Sequence, residues 1–190
     1  MLKSFIVFFI FSCLSISAYS ETTNEAKKKL KQTFLSCSII TSEHITVLQL
    51  YQRGLPRDLA IESLPNITRA AKKRVKYVYD LAKKIGVLNA YADINTNFAR
   101  CSTMVHQING MPAADLIEHS YYYCAGENKV RFELILMINQ HKSLDDLISS
   151  FPSRYKGTII DLYSLIKSKG SLAAFDLTAN NLKACLNQIN

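Results

Sequence analysis

Four histidines (His44, His106, His119 and His141), with Asp115 four residues before His119, are the side chains best suited to acid–base or metal chemistry. On a helix, positions 115 and 119 share a face, so both could reach one cation. Two ligands make a weak site, because protein metals usually take three or four. No histidine lies in an HExxH frame, and neither a Gly-rich phosphate loop nor a GxSxG turn occurs. No two carboxylates stand out as an acid–base pair, and Glu43-His44 reads as a surface pair. The favoured expectation is therefore no enzyme, no metal and no cofactor. The rival is an envelope-acting hydrolase using His119 with Asp115, or His106.

The cysteines are the other reactive candidates, and their state depends on where the chain goes. Residues 1–20, MLKSFIVFFIFSCLSISAYS, place Lys3 before an apolar run from Phe5 to Leu14 and finish on small residues. That is the layout of a secretory signal peptide cleaved after Ser20, which predicts a periplasmic or secreted protein. Serines at 12, 15 and 17 break the run before the roughly 18 apolar residues that a membrane span needs. Ile10-Phe11-Ser12-Cys13 is a poor lipoprotein box, so lipidation at Cys13 is the lesser reading. Cleavage leaves Cys37, Cys101, Cys124 and Cys185, an even number that reads as two disulfides outside the cytoplasm.

These cysteines fall on an internal repeat. Cys37 to Cys124 is a step of 87, as is Pro65 to Pro152; farther on the step is 84. There Tyr79, Lys83, Gly86, Leu88, Ala90, Asn97 and Cys101 face Tyr163, Lys167, Gly170, Leu172, Ala174, Asn181 and Cys185. One deletion of three residues between Pro152 and Leu162 accounts for the shift. The expectation is a tandem duplication, with a first unit in 21–110 and a second in 111–190.

Each unit reads as helix. Leu30, Phe34, Cys37, Thr41, Ile45, Leu48 and Tyr51 recur at helical spacing until Gly54. A short segment runs from Pro56 to a stop at Pro65; then Ile67, Ala71, Val75, Val78, Ala82 and Ile85 form a stripe that Gly86 ends. The last stripe is Leu88, Tyr91, Ile94, Phe98, Cys101 and Val105, ending at Asn109-Gly110. No stretch alternates long enough for a strand, so the predicted fold is all-α, about four helices per unit with the second short. If each unit descends from a self-sufficient bundle, the bridges are Cys37–Cys101 and Cys124–Cys185. The rival pairing is Cys101–Cys124 with Cys37–Cys185, across the turn at Asn109–Pro112.

Each unit resembles the small exported helical proteins of Gram-negative bacteria that carry one cysteine near each end. The residues that carry the resemblance are Cys37, Arg53-Gly54, Leu59 to Leu64, Val78-Tyr79 and Cys101. The second unit departs from it, with His141-Lys142 in place of the Gly break. The resemblance implies a fold and a compartment only, since no activity is assigned to such proteins.

Charge separates the two units. Residues 21–110 hold 14 Lys plus Arg against 7 Asp plus Glu, whereas residues 111–190 hold 8 of each. The excess lies in Lys27, Lys28, Lys29 and Lys31, and in Arg69, Lys72, Lys73, Arg74, Lys76, Lys83 and Lys84. On a helix, positions 69, 72, 73, 76, 83 and 84 share a face opposite Val75, Val78 and Ala82. That face is either a solvated surface or a dock for an anionic envelope component or acidic protein, with peripheral membrane contact included. Nucleic acid is not expected, since no recognition signature accompanies the lysines. Asn66-Ile67-Thr68 fits a glycosylation tripeptide, which a helix start explains equally. In Tyr121-Tyr122-Tyr123 the three rings cannot all face inward; packing at the seam between the units is the favoured reading, and a binding anchor at Tyr122 is the alternative. The expectation is a non-catalytic exported binding protein, immunity or inhibitor type included. A structural or folding-helper role in the envelope is the remaining alternative.

Overall fold

Thr33 caps the first described helix of the computed structural model, which describes residues 32–64 and 67–189. The leader with Cys13, the lysines at 27–31, Pro65 and Asn66 lie outside the described residues. The Thr33 hydroxyl accepts from the Ser36 N–H (3.1 Å), and the Ser36 hydroxyl accepts from the Thr33 N–H (2.9 Å). This reciprocal capping box satisfies donors that a bare helix end would leave unpaired. It begins α1 at Phe34 (Phe34–Gln52); Leu30, expected in the same stripe, lies outside the described residues.

The remaining elements are α2 (Arg57–Glu62), α3 (Arg69–Ile85), α4 (Val87–Asn109), α5 (Ile117–Asn139), α6 (Leu144–Ser150), a 3-10 turn (Ser153–Tyr155), α7 (Lys156–Lys169) and α8 (Ser171–Asn187). Among the described residues there is no strand, as expected, and no helix long and apolar enough to cross a membrane.

The helix stops are specific. After α1, Gly54 takes φ +78°; its N–H donates to the Tyr51 carbonyl (2.9 Å) and the Leu55 N–H to that of Leu50 (3.1 Å). After α5, His141 takes φ +62°, with matching bonds to Ile138 (3.0 Å) and from Lys142 to Met137 (3.1 Å). Both are Schellman closures, which need a left-handed residue. Gly86 and Gly170, at φ +80° and +81°, end α3 and α7, and the next helix begins at the following residue.

Helices α1, α4, α5 and α8 form the interior, in contact with one another. Helix α3 packs on α1 and α4, α7 packs on α5 and α8, and the short α2 and α6 lie against α3 and α7. Disulfides join Cys37 to Cys101, from α1 to α4, and Cys124 to Cys185, from α5 to α8. Two such bonds fit an oxidising, extracytoplasmic location.

The buried side chains form one continuous core from Phe34 to Leu182. In α3, Val75, Val78, Tyr79 and Ala82 turn inward; in α4, Tyr91, Ile94, Phe98 and Val105 do so. Leu88, expected in that last stripe, is exposed instead, because it lies about 90° around the helix from the stripe's centre. The middle of the core is an aromatic stack: Tyr91 of α4 lies parallel to Phe175 of α8, with centroids 5.5 Å apart and planes 11° apart. Beside it the Asn128 side-chain amide donates to Asn95 (2.9 Å), both residues being buried.

Candidate functional site

Helix α3 is built as a two-sided element. Thr68 caps it, its hydroxyl accepting from the Ala71 N–H (3.1 Å), and the buried stripe above fixes its rotation. Arg69, Lys72, Lys73, Lys76, Lys83 and Lys84 are then all exposed, with Asp80 among them. Among the described residues, none of the six forms an ion pair. Arg74 differs: it turns under the face and pairs with Glu43 of α1 at 2.7 Å, while its Nε donates to the same oxygen at 2.8 Å.

That pair corrects the reading of Glu43-His44 as a surface pair. Both residues are half-buried, and Glu43 is committed to Arg74. The His44 ring lies 5.6 Å from that of Tyr77, and its Nε2 is buried without a partner among the described residues. Burial holds the His44 imidazole below its ordinary pKa; Arg74 adds to this, while the charges of Glu43 and Asp93 oppose it. Tyr77 stands at the edge of the cationic face, exposed, with its hydroxyl donating to Asp93 (3.4 Å).

The histidine candidates meet at another place. His106 of α4 stacks on Tyr122 of α5 with centroids 5.6 Å apart, and His119 approaches the same ring at 6.3 Å. Asp115 is not on the helix with His119: it lies in the turn before α5, whose first residue is Ile117. The spacing that would let Asp115 and His119 share one cation on a helix face is therefore not realised. Among the described residues neither His106 nor His119 hydrogen-bonds a carboxylate, and no three metal-binding side chains gather. Of the tyrosine run, Tyr122 is half-buried with its ring edge on Phe34 (5.2 Å), and Tyr123 is the exposed member.

Neither family models, curated proteins nor solved structures include a match to this chain. The geometry alone must carry the functional reading.

One polar cluster carries no single-helix signature. The hydroxyl of Tyr91, on α4, donates to Asp176 of α8, and Asp176 also accepts from Gln52 of α1 (3.0 Å). Lys183 of α8 donates to Gln49 of α1 (2.6 Å). Burial raises the Tyr91 pKa well above its ordinary value, reinforced by Asp176, so this phenol is a hydrogen-bond donor and not an acid. Burial lowers that of Lys183, as does the nearby Arg53, while Asp176 opposes the shift. The cluster joins three helices and fixes their register. Its chemistry is structural.

Proposed function

We propose that this is an exported, non-catalytic binding protein built by tandem duplication, which engages an anionic partner through the outer face of α3. The leader at 1–20 supports export, and the two disulfides agree with an oxidising destination. The duplication is supported by the left-handed stops 87 residues apart at Gly54 and His141, and by the corners 84 apart at Gly86 and Gly170. The resemblance of each unit to small exported two-cysteine proteins points the same way.

The observation that carries the binding proposal is six exposed cations on one face with no ion-pair partner among the described residues. Helix stability accounts for only some of them. Lys83 and Lys84 sit in the last turn, where cations favour the helix dipole. Arg69 and Lys72 sit in the first turn, where a cation opposes it, and no acidic residue offsets them there. Charges retained against a local cost of this kind support a role outside the fold. The partner is an anionic envelope component, such as a phosphorylated headgroup or acidic polymer, or an acidic protein. Inhibitor and immunity proteins are of the same small, exported, bridged character.

The test measures retention on phosphatidylglycerol vesicles and on an acidic protein matrix as salt rises. The wild type is compared with a Lys72→Glu, Lys73→Glu, Lys76→Glu triple variant. The expected result is wild-type retention that fades over the range where screening becomes effective, with the variant failing to bind at low salt. Equal, salt-independent retention of both proteins refutes the proposal. The hydrolase reading predicts loss of an activity in His119→Ala, which the binding reading does not.

A further inference from the structure

A cleft of about 480 Å³ opens between α4 and α5, with the 3-10 turn along one side. Its existence follows from small side chains: Ala99 and Ser102 on α4 and Gly126 on α5 lie along it, where larger residues would fill the gap. A Cβ placed on Gly126 would meet no atom within 4 Å, so the space beside it is open. Tyr122, Tyr123 and Tyr155 supply aromatic lining. Ser102 adds a buried hydroxyl that has no partner among the described residues.

The charge of this cleft is one-sided. Glu127 is its one carboxylate among the described residues, and that carboxylate is already taken: Arg131 pairs with it at 3.0 Å and the Tyr155 hydroxyl donates to it at 2.8 Å. Lys129 is paired with Glu133 at 3.4 Å. Arg154 is different. Its guanidinium is exposed and lies over the Tyr155 ring, 4.8 Å from the centroid; it donates to the Tyr155 hydroxyl (3.2 Å) and forms no ion pair among the described residues. Aromatic lining with one planar cation that is in no ion pair among the described residues, and whose remaining N–H groups face solvent, suits a ligand with a flat apolar body and one negative group.

We propose that the cleft binds a small aromatic anion, a ring system bearing a carboxylate or sulfonate, with the ring among the tyrosines and the charge on Arg154. No α3 residue lines the cleft, so the site stands apart from the cationic face. The probe is 1-anilinonaphthalene-8-sulfonate, titrated into folded protein; the chain has no tryptophan to interfere with its emission. One saturable site is expected. N-phenyl-1-naphthylamine, the same rings without the sulfonate, should bind about tenfold more weakly, and Arg154→Gln should weaken the anionic dye by about the same factor. Gly126→Leu should abolish saturable binding while thermal unfolding stays cooperative, since leucine fills open space and favours helix. Leu88→Ser, on an exposed apolar residue of α4 outside the cleft, should leave the titration unchanged. Unaltered binding in Gly126→Leu overturns the cleft as the site. Equal affinity for the charged and uncharged dyes, or no effect of Arg154→Gln, overturns the assignment of an anion.

Discussion

The stretches α1–α4 and α5–α8 are alike at several buried positions and helix stops and differ in side chains they show to solvent. Val75 and Val78 of α3 are buried, as are Ile159 and Leu162 of α7, each 84 residues on. On the outside, Lys76 and Lys84 face Ile160 and Ser168 at the same step, while Lys83 faces Lys167. Position 44 carries a half-buried histidine, and its counterpart 87 residues on is Arg131, paired with Glu127. Packing constrains a core residue through many neighbours at once, whereas a solvent-facing lysine answers to few. The contrast agrees with the binding role proposed for the outer face of α3.

Removing the bridges tests the likeness most severely. Replacing Cys37 and Cys101 by serine, or Cys124 and Cys185, opens loops of similar sequence separation, 64 and 61 residues. Each double variant should lose about 4 kcal/mol in urea unfolding by the chain-entropy account. A difference between them of more than about 2 kcal/mol breaks the equivalence of the two stretches.

A smaller loss is expected where they meet. Tyr91→Phe keeps the ring stacked on Phe175 but takes the hydroxyl from Asp176, and should cost about 1–3 kcal/mol. An unchanged urea midpoint would show that Gln49 and Gln52 satisfy Asp176 without the phenol.

The paired helix stops sharpen the comparison further. His141 holds a left-handed conformation that glycine adopts at no steric cost. His141→Gly should stabilise by about 1 kcal/mol and Gly54→Ala should destabilise by a like amount. Two shifts of the same sign in thermal unfolding would show that the closures are not equivalent.

The smallest effect belongs to the first stretch alone. Because folding lowers the His44 pKa from 6.5, the neutral ring is favoured in the native state. This contribution is whole above the unfolded value and is lost as pH falls through the folded one. His44→Gln should flatten that part of the acid limb, read as unfolding free energy at about pH 7.5 and pH 5. Parallel curves for wild type and variant would remove His44 as the source.

Helix stripes were legible because burial follows the periodicity of one chain segment. The stops at Gly54 and Gly86 were legible because glycine announces a left-handed backbone. His141 announces nothing by itself; only its match to Gly54 reveals the closure. The start at Phe34 depended on a box between Thr33 and Ser36, which apolar spacing alone does not reveal. Gln49 is buried because Asp176, Asn180 and Lys183 reach it from α8, more than a hundred residues away. The α4–α5 cleft was invisible for the same reason, since Ser102, Gly126 and Arg154 become neighbours only after folding. Exposure of the α3 lysines followed from their helical angle, whereas the turn of Arg74 toward Glu43 did not.

Tyr91 and Phe175 stand at matched places and lie face to face. In a forebear holding one such bundle, that ring would meet water unless a second molecule supplied its mate. Such a forebear would gain most as a symmetric pair of identical molecules, subject to dilution. On the proposed duplication, fusing two copies end to end would make the partnership permanent at any concentration and free each copy to change without spoiling the other.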